Sequence, residues 1–361
     1  MKLSEEDIGH IRTGALFLAC SVDPLWCIEQ ADRALAYMRS QQTEAVLLQV
    51  DELPEEALVI TLGFVNNGLP LSELRPPGGE FIHSLRLVEK AVGREAVGVI
   101  PMAGANVNAL VPILTGMQLG IPIIDADPQG RVFPRLHQSV FTLAGLPAGP
   151  LAATGPTGES ALLDVTNPSQ AERLVRALAA EFGGWAATAM SPMTAKTLET
   201  HGLLGTVSRL LRIGKILNSE AVTEQKYEEL RRHEGVTRII RARVIDIAGL
   251  SRPNAPGQSD RPSSVVLVEE SQNRIVQIEI QNELLMVLVD GVVAAVMPDI
   301  ITMLHPDDAS VASLEDVWVG NTLDIAILPA AKPWYSSEGL RLAGPEAQQL
   351  QLRGRWGRAH T

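Results

Sequence analysis

The chain is 361 residues long, more than one hydrophobic core usually organises, so two domains are expected and a peptide-sized or disulfide-stapled module is excluded. Apolar residues make up 46% and charged residues 20%, the balance of a chain that folds rather than one that stays disordered. The 30 Lys plus Arg against 42 Asp plus Glu give a net charge of −12, which repels a phosphate backbone and argues against nucleic acid as a partner.

Ser4 followed by Asp7 is a helix-start pattern, and Ile8, Ile11 and Ala15 continue it at helical spacing. The acidic opening of Glu5, Glu6 and Asp7, with only a short apolar run behind it, fits neither a secretory signal nor a transit peptide. A cytoplasmic location is therefore expected. Asp23-Pro24 opens a second helix whose apolar face is Leu25, Ile28, Ala31, Leu35 and Met38. Strands are then predicted over 45–50, 57–64, 96–101, 121–125, 160–165 and 185–190, with helices over 80–93, 108–120 and 169–184. Short continuous apolar runs between helices are what strands buried on both faces require, so the expected fold is α/β with a mostly parallel, helix-covered sheet. No charge occurs between Glu95 and Asp125, a length that could span a bilayer. Pro101, Asn106, Asn108, Pro112, Gln118 and Pro122 punctuate it, so it reads as buried core and no membrane partner is expected.

Helical patterns over 194–217 and 222–233 close this half. From residue 238 the character changes to short Val- and Ile-rich runs separated by turns, the pattern of a mainly β domain. The division is expected near 219–236, giving an α/β domain over 1–225 that carries the candidate site and a mainly β domain over 226–361. The Pro-, Gly- and Ser-rich stretch 251–264 reads as a long surface loop.

The most informative segment is 120–138. If 121–125 is a strand, Asp125 ends it and Asp127 follows in the exit loop, where open parallel sheets place ligand sites. With Arg131 and His137 close behind, the two carboxylates could divide acid and base roles or hold a metal. Asp-x-Asp with no close second His is a weak ligand pattern, so the cofactor stays open, a divalent metal being one option. The plainer alternative is that Asp127 begins a turn with Pro128 and Arg131 pairs with an acid. A second segment, 101–113, runs from a strand end through Gly104 to Asn106 and Asn108 at a helix start. Free N–H groups there could hold a carboxylate or a developing oxyanion. Cys20 and Cys27 lack zinc-finger spacing and read as reduced, small buried residues, the alternative being a Cys27 nucleophile with His83 or His137 as base. No Walker A, GxGxxG, GxSxG or HExxH signature is present.

The runs PMAGANVNALVPI, GIPIIDADPQGRVFP and IQNELLMVLVDGVVAAVMPDIITML, with ELPEEALVITLGF and VGNTLDIAILPAAKPW, together resemble the S-methyl-thiohydantoin desulfurase family over nearly the whole chain. The resemblance implies an α/β domain followed by a β domain and a link to hydantoinase and oxoprolinase systems. It also implies exchange of a ring S-methyl group for oxygen with release of methanethiol. Catalytic roles would fall to Asp125, Asp127 and His137, and substrate contacts to Gly104, Asn106, Asn108, Arg131, Cys20 and Asp23. Three departures stand out: LACSV precedes Asp23-Pro24 where many relatives carry a glycine-rich run, family DGMGR is here Asp127-Pro128-Gln129-Gly130-Arg131, and PEAQQL stands in place of the common terminal PRAFGY.

The expected function is a small-molecule hydrolase acting on a thiohydantoin-like ring or related cyclic amide. The alternative is a non-catalytic binding protein or accessory subunit of a hydantoinase- or oxoprolinase-like system. An enzyme predicts Asp125, Asp127 and His137 in one reachable pocket; a binder predicts them dispersed or sealed. A homo-oligomer is left open.

Overall fold

The computed structural model describes residues 1–20, 24–66, 78–251, 261–281, 283–348 and 350. Strand β1 (Lys2–Leu3) leads into helix α1 (Glu5–Phe17). Ser4 Oγ accepts from Asp7 N and the Asp7 carboxylate accepts from Ser4 N, so each satisfies a donor the helix end leaves free. Helix α2 (Leu25–Gln41), β2 (Ala45–Leu48), β3 (Leu58–Asn66), α3 (Glu80–Val92), β4 (Gly98–Pro101), α4 (Asn106–Leu119), β5 (Ile123–Ile124) and β6 (Ala126–Asp127) follow. Then come α5 (Val140–Leu143), β7 (Leu151–Thr154), β8 (Ser160–Leu163), α6 (Pro168–Glu181), β9 (Trp185–Thr194), α7 (Ala195–His201), β10 (Leu203–Leu204), α8 (Thr206–Leu217) and α9 (Thr223–Glu234).

The first sheet has the order β1-β2-β5-β4-β3-β9-β7-β8. Its inner run β2-β5-β4-β3 is parallel, as expected for strands joined by the crossover helices α3 and α4. The sheet as a whole is mixed, because β1 adds antiparallel at one edge and β9, β7 and β8 at the other. Strand β7 escapes the sequence reading, since LAAT is short and half of it is alanine. The uncharged stretch between Glu95 and Asp125 folds as β4, α4 and β5, with most of α4 buried. No described helix is long and apolar enough to cross a membrane.

The second sheet is antiparallel throughout. Its strands are β11 (Arg238–Ser251), β12 (Arg261–Glu269), β13 (Ile275–Ile280), β14 (Leu284–Val289), β15 (Val292–Val296), β16 (Ile300–Leu304), β17 (Val311–Ala312) and β18 (Thr322–Leu328), in the order β15-β14-β13-β12-β11-β18-β16-β17. A short helix, α10 (Ser337–Ala343), follows. Of the stretch expected as a loop, residues 252–260 lie outside the described residues, whereas 261–264 already pair within β12.

Strand alternation sorts the core. Ile240, Ala242 and Val244 of β11, Val276, Ile278 and Ile280 of β13, and Ile301 and Met303 of β16 share one cluster inside the second sheet. The opposite face of β16 and β18, through Ile300, Leu304, Ala326 and Leu328, joins a second cluster with α1, α2, α4, α8 and α9. Both strands are thus buried on two faces, which is why their sequences are nearly unbroken apolar runs. Helices α1 and α8 cross closely: a Cβ on Gly14 would lie 2.1 Å from Leu210 O, and one on Gly214 would lie 1.9 Å from His10 O.

Candidate functional site

The segment after β5 is held by the start of α8. Helix α8 has Gly205 at its N-cap, with no side chain to satisfy the first free N–H groups. Asp125 does so from elsewhere in the chain: its Oδ1 accepts from Val207 N at 2.8 Å and Ser208 N at 3.0 Å. Its Oδ2 accepts from Gln49 Nε2 at 2.9 Å and from the Ser208 hydroxyl. Asp125 is 1% exposed and both its oxygens are engaged, so its chemistry is that of a buried helix cap.

Asp127, two residues on, is fully buried. Its Oδ1 accepts from Gln129 N and Gly130 N, both at 2.5 Å, closing the turn foreseen with Pro128. Its Oδ2 is buried without a hydrogen bond of normal geometry, while the Thr206 hydroxyl and the Gly104 N–H act on the carboxyl from close by. That oxygen faces Gly104, where a Cβ would lie only 2.5 Å away, so an uncrowded carboxyl at this point requires glycine there. Burial pushes the Asp127 carboxyl up to about 6, against the opposing pull of the Gly130 and Gln129 N–H groups. A group poised near neutrality can give or take a proton at ordinary pH.

Arg131 is the point where separate sequence motifs meet. Its guanidinium is buried against Glu283 of the QNE run, donates to Pro298 O at 2.7 Å and Asp299 O at 2.8 Å of the PDII run, and reaches Cys20 Sγ at 3.3 Å. It also lies 4.7 Å from the centre of the Phe133 ring. Asp299 in turn accepts from the Tyr335 hydroxyl at 2.5 Å, and Trp334 Nε1 donates to Gln129 O at 2.9 Å. The turn after β6 is therefore bolted to the second sheet and to the segment before α10.

Cys20 takes a left-handed φ of +53°, the conformation a glycine adopts without cost. Its carbonyl accepts from Leu284 N, and burial pushes its thiol up to about 11, opposed by the neighbouring Arg131 charge. Asp23 lies outside the described residues. Helix α4 begins at Asn106, with Ala105 at the cap position; Asn106 has φ +48° and its Oδ1 accepts from Val107 N. Asn108 ties the helix to β3 by accepting from Phe64 N at 2.7 Å. His137 stands apart from the carboxylates. Burial lowers its pKa, and the charges acting on it are Glu172, Arg135 and Arg176.

The structure thus sets Asp127 beside Gly104 and Thr206, sets Arg131 beside Cys20 and Glu283, gives Asp125 a separate task, and places His137 in other company. Among the described residues no group of three or more His, Cys, Asp or Glu could hold a metal, and the engaged oxygens of Asp125 offer a cation no free lone pair on the expected face. Two surface cavities, of about 550 and 490 Å³, lie around α8 and α9 and are not lined by Asp125, Asp127 or Arg131. Glu283 and Thr206 escape the sequence reading. Glu283 stands 152 positions from its partner, and Thr206 looks like any helix-start threonine.

An α/β layer with a partly parallel sheet, an antiparallel β layer, and a buried polar seam joining them define a two-domain protein of the kind the sequence motifs imply. The chain belongs to the S-Me-THD-like family: its N-terminal domain matches over residues 6–165 and its C-terminal domain over 166–353. A crystal structure of a protein from Chromobacterium violaceum has the same fold, with a TM-score of 0.80 over 99% of both chains at 21% identity. A search of curated proteins finds no match.

Proposed function

We propose that the protein is a small-molecule hydrolase of the S-methyl-thiohydantoin desulfurase type, with Asp127 as the proton-transfer group. The observation that carries this reading is the Asp127 carboxyl: buried, pushed up to about 6 by that burial, and with one oxygen lacking a well-formed hydrogen bond beside Gly104 and Thr206. In the reaction, Asp127 takes a proton from water as the water oxygen adds to the ring carbon bearing the S-methyl group. The carbon–sulfur bond then breaks. The proton held by Asp127 passes to the departing methanethiolate, and the second water proton is left on the ring nitrogen beside the new carbonyl. A ring reaches Oδ2 only when the shell of Gly104, Thr206 and the 129–130 turn separates, which makes opening of the seam part of the reaction.

A second reading, a non-catalytic binding or accessory subunit, draws on the occupied oxygens of Asp125 and the separate position of His137. Methanethiol release from an S-methyl-thiohydantoin decides between them. Turnover by the wild type that falls about 10²-fold or more in Asp127→Asn supports the hydrolase. Binding of the ring without methanethiol release supports the accessory role.

A further inference from the structure

Asp127 Oδ2 has a neighbour in the same position. Thr206 Oγ1 is also buried without a hydrogen bond of normal geometry, although its hydroxyl acts on the Asp127 carboxyl as a donor does. The two stand together, because a Cβ on Gly104 would lie 2.5 Å from Asp127 Oδ2 and 3.5 Å from Thr206 Cβ. Three constraints fix Thr206 there. Strand β10 pairs with β6, setting Leu203 opposite Asp127 and Leu204 opposite Ala126. Gly205 N donates to Asp125 O at 2.7 Å, and the Asp125 carboxylate holds Val207 N and Ser208 N on the next turn. The work of Asp125 is thus to deliver the first residue of α8 to Asp127.

A buried hydroxyl and a buried carboxyl oxygen are each costly to leave unpaired, and these two residues border the same space over Gly104, which has no side chain. We infer that Thr206 is the positioning residue of Asp127: its hydroxyl donates to Oδ2 and fixes the orientation and protonation of the carboxyl. The other groups acting most strongly on Asp127 are the N–H groups of Gly130, Gln129 and Gly104. The catalytic meaning of the pairing rests on the hydrolase reading; the pairing itself does not.

The sign follows from the chemistry. A donor to the carboxylate favours the charged form, so removing it raises the pKa. The test uses full-length protein labelled with 13C at the aspartate carboxyl carbons, the signal absent from Asp127→Asn being that of Asp127. Thr206→Val, which keeps the shape and removes the hydroxyl, should move the Asp127 midpoint up by about one pH unit, while Thr206→Ser leaves it in place. The acidic limb of the methanethiol-release profile should move with it. An unmoved midpoint in Thr206→Val, or an equal shift in Thr206→Ser, overturns the pairing. A moved midpoint together with undiminished turnover in Asp127→Asn leaves the pairing standing and removes the hydrolase role of Asp127.

Discussion

Arg131 and Glu283 form an ion pair with 0% and 2% of their side chains exposed, at the seam between the two sheets. Taking both charges out of water costs several kcal/mol, which their attraction offsets only while each keeps its partner. Arg131→Met should therefore lower stability by roughly 3–5 kcal/mol in urea unfolding, because Glu283 is left as a lone buried charge and the carbonyls of Pro298 and Asp299 lose their donor. Glu283→Leu added to it should restore part of the loss. A single-variant loss below about 1 kcal/mol would show that the pair does not hold the seam.

Asp125 and Asp127 should separate cleanly under the same substitution. Asp125→Asn places an amide where Gln49, Ser208 and two backbone N–H groups already donate, so stability falls by roughly 1–3 kcal/mol while turnover per folded molecule persists. Asp127→Asn keeps an oxygen for Gln129 and Gly130 and should do the reverse. Equal catalytic losses in both variants would contradict the division of labour.

Stability should carry a pH signature from Asp127. Its folded pKa of about 6 lies above the unfolded value, so its contribution is complete below the unfolded pKa and is lost as pH rises through 6. The stability of wild type relative to Asp127→Asn should fall by about 2 kcal/mol between about pH 4 and about pH 6.5. A flat difference across that window, measured by denaturant titration at several pH values, would show that the carboxyl titrates normally.

The crossing of α1 and α8 should tolerate no methyl group. Gly14→Ala and Gly214→Ala each drive a Cβ into the backbone of the facing helix, at Leu210 and His10. Each should destabilise by about 1–3 kcal/mol or more, read as a lowered melting temperature. Gly9→Ala, on the same helix with open space beside it, serves as the control and should stabilise slightly.

Both thiols should be silent in the native protein. Burial pushes Cys20 up to about 11 and Cys27 up to about 12, so neither presents thiolate at pH 8. A chromogenic disulfide reagent should detect no thiol before denaturant and two after it. Rapid reaction of one native thiol would place a reactive nucleophile in the fold.

Much of this architecture is legible in the sequence. Helix α1 announces itself through Ser4 and Asp7, and the twice-buried strand β18 through an apolar run broken only by Asp324. The antiparallel edge of the first sheet is not legible, because the direction in which β9 and β7 join depends on connections that local pattern does not encode. The site divides in the same way. Asp127 is visible from its place after a strand, but spacing alone suggests that Asp125 shares its pocket, whereas the start of α8 takes Asp125 for itself. Nothing near Arg131 in sequence points to Glu283, since only folding brings positions 152 apart into contact.

The reach of Arg131 also sets an order of events during synthesis. Its partners at Glu283, Pro298 and Asp299 emerge from the ribosome more than 150 residues after it does. Until then the guanidinium has no carboxylate to meet, and the helices around α1 lack the apolar cover of Ile300, Leu304, Ala326 and Leu328. The Arg131 end of the turn that carries Asp127 therefore gains its partners only once the second half of the chain is made. The first half alone lacks both this ion pair and that apolar cover.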